Sequence, residues 1–155
     1  MKEIDIVECR RIFRKVKHTV KRIAGIERPS LTLAIQKLPP HIEAYHPVGT
    51  HYVVINRDLL SRIFSMTDSR ETIESYLFPL LLHEYLHSFG FDENYTYHLT
   101  IEICSRVFGE DSLATHIAKY GVSSVIGRVE SEENGRRSSV EVIGDLDLDN
   151  QSYIA

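Results

Sequence analysis

Residues 79–90 read PLLLHEYLHSFG, and no other stretch restricts the chain as tightly. Pro79 starts a helix or kinks a longer one, because it cannot donate to residue 75, and Gly90 supplies the stop. Leu81, Leu82, Tyr85, Leu86 and Phe89 recur as one apolar face, so the helix is driven into a core. His83, Glu84 and His87 go with it. Burying two imidazoles and a carboxylate together is expensive unless something pairs them. Histidines four apart on a helix stack on one face, so both rings can reach a single ion. Glu84 lies about 100° round the helix from His83 and about 60° from His87. It is therefore next to the ion without being forced to ligate it, where a carboxylate can take a proton from metal-activated water. A shuffled chain of this composition contains the five-residue pattern about four times in a hundred. The bland alternative is two core histidines satisfied by hydrogen bonds.

The rest of the chain reads as one α+β domain. Residues 3–24 carry Ile6, Cys9, Phe13, Val16, Val20 and Ile23 at steps of three and four, an amphipathic helix that Gly25 can end. Three short strands are expected at 31–36, 42–45 and 51–55. The short loops between them favour a mainly antiparallel sheet. Helices follow over Arg57–Met66, from a capping box at Asp68 and Glu71, over 79–89, 95–108 and Leu113–Tyr120. A single domain over 1–129 is expected, followed by a flexible acidic connector and tail over 130–155. Residues 130–139 (ESEENGRRSS) form the connector, and residues 140–148 alternate apolar and acidic side chains.

Charge is unevenly spread. Nine of the 18 Lys and Arg residues fall in the first 28 positions, and seven acids lie from Glu130 onward, although the net charge is only −4. Such a basic first helix can contact nucleic acid or an acidic partner. The plainer reading is a solvated face, or two chain ends that complement each other. No apolar run approaches the roughly 18 residues a membrane span requires. The charged start of the chain does not read as a signal peptide, and two cysteines, Cys9 and Cys104, make no disulfide framework, so the expected location is cytoplasmic.

Residues 83–93, HEYLHSFGFDE, resemble the zincin metallopeptidases, and more narrowly the metzincin-like pattern H-E-x-x-H-x-x-G-x-x-ligand. Beyond these residues the likeness extends loosely to the strand-then-helix order from His51. The resemblance implies a Zn2+ ion held by His83, His87 and, at the register set by Gly90, Glu93. The longer pattern has His at that position and some compact relatives have Asp. Asp92, Glu102 at a gluzincin-like position, and His98 therefore stand as alternatives. The implied activity is hydrolysis of peptide bonds in a protein or peptide substrate, with Glu84 as general base. By analogy, a strand along the cleft, residues 52–55, would accept an extended substrate. Tyr95, Tyr97, His98 and His116 are candidate donors to the oxyanion. His41, His46 and His51 cluster around turns and read as surface residues. Ser88 and Cys104 lack a triad context. The tail could occupy the cleft as an inhibitory pseudo-substrate. The competing functions are a zinc-stabilised domain without turnover and a nucleic-acid or regulator-binding module led by the basic helix.

Overall fold

A computed structural model describes the backbone of residues 1–137 and the side chains of residues 1–131. Its elements run α1 (Glu3–Ala24), β1 (Thr32–Gln36), β2 (Ala44–Tyr45), β3 (Tyr52–Asn56), α2 (Arg57–Met66), α3 (Arg70–His87), α4 (Glu93–Phe108), α5 (Leu113–Tyr120) and α6 (Val122–Arg137). The architecture is α+β, a helix and a small sheet followed by helices, as the periodicities imply. Among the described residues no helix is long and apolar enough to cross a membrane.

The fold is organised around α3, whose ten buried residues include an unbroken run from Tyr76 to Leu82. A helix apolar on nearly every side must be covered on every side. α1 covers one flank, α4 and α5 another, and β2 and β3 a third. Phe13 of α1 meets the Tyr85 ring edge-on at 5.9 Å. Arg11 and Lys15 of α1 reach Glu74 of α3 at 3.0 and 2.7 Å. Part of the basic face is thus tied to the neighbouring helix, whereas Arg10, Arg14 and Arg22 are exposed.

α3 is one continuous helix through Pro79. Its N-cap is Ser69, whose hydroxyl accepts from the Thr72 N–H at 3.2 Å, in place of the expected capping box at Asp68 and Glu71. Internal proline is tolerated because tertiary burial outweighs the one backbone hydrogen bond it removes.

The sheet is mixed, and this corrects the mainly antiparallel arrangement. Its order is β1-β3-β2. β2 and β3 form the antiparallel hairpin that their short connection requires. β1 passes over its sequence neighbour and pairs in parallel with β3, from Thr32 opposite Tyr52 to Gln36 opposite Asn56. Residues 37–51 are long enough for that crossover, since the loop-length rule holds only for strands that are adjacent in space. Asn56, 3% exposed, pins the crossover. Its amide donates to the carbonyls of Leu38, Pro39 and Ile42 at 3.3, 3.3 and 2.9 Å. Its side-chain oxygen caps α2 through the Asp58 N–H at 3.1 Å.

At the C-terminal side, α6 runs on through residues 130–137, the first part of the expected flexible connector. Glu and Arg are good helix formers, and Glu130 is anchored to Arg62 of α2, with Nε to Oε1 at 2.7 Å. The strand-like tail at 140–148 lies outside the described residues.

Candidate metal centre

The last turn of α3 and the first of α4 build the site. After His87 the chain makes a tight reversal: the Gly90 N–H donates to the His87 carbonyl at 2.9 Å, with Gly90 at φ 87°. Only glycine takes that conformation cheaply. Asp92 then caps α4, accepting from the Tyr95 N–H at 2.7 Å. Glu93, the first residue of α4, is thereby delivered beside both histidines. The reversal is short because one glycine turns it and one carboxylate starts the next helix.

The two imidazoles lie 4.8 Å apart, centroid to centroid. Their Nε2 atoms converge on one carboxylate, His83 on Glu93 Oε1 at 3.0 Å and His87 on Glu93 Oε2 at 2.6 Å. One ligand atom from each of the three residues lies within 4.8 Å of the others. Both histidines are about three-quarters buried, with 23% and 24% side-chain exposure, while Glu93 faces solvent at 72%.

The donor chemistry fits a divalent cation. His87 Nδ1 lies 3.2 Å from the Phe91 carbonyl, so both ring nitrogens face acceptors. A neutral ring has one proton for these two contacts. With Nδ1–H given to Phe91, the Nε2 lone pair faces the Glu93 carboxylate, an arrangement that a bound cation or a second ring proton relieves. The Nδ1-to-carbonyl contact is also the arrangement that fixes a ligating imidazole. Burial lowers the pKa of His83, with the Glu93 charge opposing, and so favours the neutral ring that a metal requires. Two imidazoles and a carboxylate are a common donor set for catalytic zinc.

The other candidate ligands are elsewhere. Asp92 is committed to its cap. Glu102 pairs with Arg106 at 3.1 Å on the outer face of α4. His98 is exposed and stands edge-on to the Tyr97 ring.

Glu84 and His83 line a cavity of about 550 Å³ whose walls come from α3, α4, α5, the start of α6 and the β2 segment. Burial pushes the Glu84 carboxyl up to about 7; His87 opposes this, and the charges of Glu93 and Glu43 add to it. A carboxylate with such a value exchanges protons near neutrality. Of the four candidate oxyanion donors, the cavity collects Tyr97 and not Tyr95, His98 or His116. Tyr97 is one turn along α4 from Glu93, and its hydroxyl donates to the Lys119 carbonyl at 3.0 Å.

The strand expected to receive a substrate, residues 52–55, is the central strand, paired with β1 along its length and with β2 at Val54 and Ile55. The edge beside the cavity is β2. Glu43 receives the Asn56 N–H at 2.9 Å, so by antiparallel alternation Ala44 turns its N–H and C=O away from the sheet. His41, expected on the surface, is exposed and also lines the cavity mouth. Glu43 and Ser123, which face each other across this cavity wall, were not anticipated. Glu43 Oε2 accepts the Ser123 N–H at 3.0 Å and the Ser123 hydroxyl. No local pattern announces a contact between residues so distant in sequence. No protein-family model, curated protein or solved structure matches the chain, so the reading of this centre stands on its residues and their geometry.

Proposed function

We propose that the chain is a zinc-dependent metallopeptidase of zincin type, with His83, His87 and Glu93 as ligands and Glu84 as general base. The observation that carries the reading is the convergence of three metal-type donors beside a buried carboxylate that opens on a roomy cavity. A zinc ion bound there would act as a Lewis acid and lower the pKa of water. The chain's own groups then do the positioning. Glu84 accepts a proton on the cavity side and returns it to the leaving amine, a cycle suited to a carboxyl that burial pushes up to about 7. A peptide laid antiparallel to β2 would hydrogen-bond the outward N–H and C=O of Ala44. The Tyr97 hydroxyl, released from the Lys119 carbonyl, would donate to the oxyanion.

The place of Glu84 on the cavity wall favours turnover over a purely structural site, which has no use for a base. Glu84→Gln tests this. The variant should bind zinc as the parent does and lose peptide cleavage by about a thousandfold or more. Cleavage that persists in Glu84→Gln, or its absence in the zinc-loaded parent across a broad peptide library, would remove the proposal.

A further inference from the structure

The cavity, about 550 Å³, is within the range of small-molecule pockets and has room for a long side chain. Ile42, Leu80, Ile117 and Val122 give it apolar walls. Set among them is the half-buried carboxylate of Glu43. Its backbone carbonyl is held by Asn56, and its Oε2 by the N–H and hydroxyl of Ser123. These bonds cap the start of α6 and account for one oxygen only. Oε1 accepts no hydrogen bond among the described residues. Glu43 lines the same cavity as His83 and Glu84, on the wall that β2 and the start of α6 form. Lys119 also lines the cavity but is exposed to solvent.

We propose that this cavity is a subsite for a lysine or arginine side chain, with the anchored Glu43 carboxylate as the group that selects it. The proposal rests on the peptidase reading and gives it a substrate class. A long cationic side chain matches both halves of the pocket: its methylene stem covers the apolar walls while its charged head reaches Oε1. A free peptide amino terminus carries the same charge but has no stem to place against Ile42 and Leu80.

The test uses the full chain carrying Glu84→Gln, loaded with zinc, and reads binding by fluorescence anisotropy. The probes are labelled, acetylated alanine-based hexapeptides that differ at one position, scanned along the peptide, as lysine, norleucine or glutamate. At the best position lysine should bind about tenfold tighter than norleucine, and glutamate weaker than norleucine. Adding Glu43→Gln, which keeps an oxygen for Ser123, should abolish the lysine preference. Should that variant melt early, the glutamate peptide carries the same test with the parent carboxylate in place. Equal binding of the three peptides, a lysine preference that survives Glu43→Gln, or no binding at all would overturn the proposal. So would a preference that follows an unacetylated amino terminus in place of the side chain. Cleavage assays on the parent keep the two claims apart. Cleavage without cationic preference sinks the subsite alone, whereas cationic binding without cleavage sinks the peptidase.

Discussion

At the residue scale, helical spacing places the two histidines, and contacts distant in sequence place Glu43 and Asn56. His83 and His87 share a face because a helix repeats every 3.6 residues, and that holds whatever surrounds it. Glu93 stands first among four candidates through the glycine register of the resemblance alone, and its carboxylate lies 3.0 and 2.6 Å from the two Nε2 atoms. Glu43 had no such signal: its partner Ser123 is 80 positions away. Asn56 was equally silent, although it ties the crossover of residues 38–42 to the sheet and holds Glu43 at the cavity. Asn56→Ala removes a cap and takes the side-chain donor from the part-buried carbonyls of Leu38 and Ile42, while that of Pro39 keeps the Ile42 N–H. It should cost about 2–4 kcal/mol in a urea melt. A loss below about 0.5 kcal/mol would show that water replaces those bonds without penalty.

At the element scale, the connection between α3 and α4 decides whether the donors meet. Gly90 has φ 87° and open space around its Cβ position, so a substitution there meets backbone strain without a steric clash. Gly90→Ala should lower stability by about 1–2 kcal/mol. It should also weaken zinc binding, since Glu93 follows three residues later. Paired thermal melts and zinc titrations separate the effects. A melting shift with unchanged zinc affinity would mean that the reversal does not position Glu93. The same scale explains the misread sheet. Strand existence followed from alternation, and the β2–β3 hairpin from loop length. The parallel β1–β3 pairing depends on which strand fills the centre, which no loop length states. The helical start of the expected connector was hidden for a similar reason, since its anchor, Arg62, comes from α2.

At the scale of the whole molecule, the uneven charge is partly spent on assembly. Arg11 binds Glu8 at 2.6 Å as well as Glu74, and Arg70 approaches Glu8 at 3.4 Å. Hydrogen bonding from Arg11 holds the Glu8 carboxyl below its ordinary value of 4.5. A carboxyl whose folded pKa is depressed contributes stability above the unfolded value and loses it as pH falls through the folded one. Wild type should therefore be more stable than Glu8→Gln at pH 7, with the difference closing below about pH 4.5. Melting curves from pH 7 to pH 3 measure it, and a pH-independent gap would assign the effect of Glu8 to packing.

Everything proposed for this chain depends on His83, His87 and Glu93 holding one divalent cation. Isothermal titration of zinc into metal-stripped protein, run beside His83→Ala, His87→Ala and Glu93→Gln, measures that dependence directly. The account predicts about one tightly bound zinc per chain, with affinity falling about tenfold or more in each variant. A parent that takes up no zinc, or variants that bind it as the parent does, would contradict it.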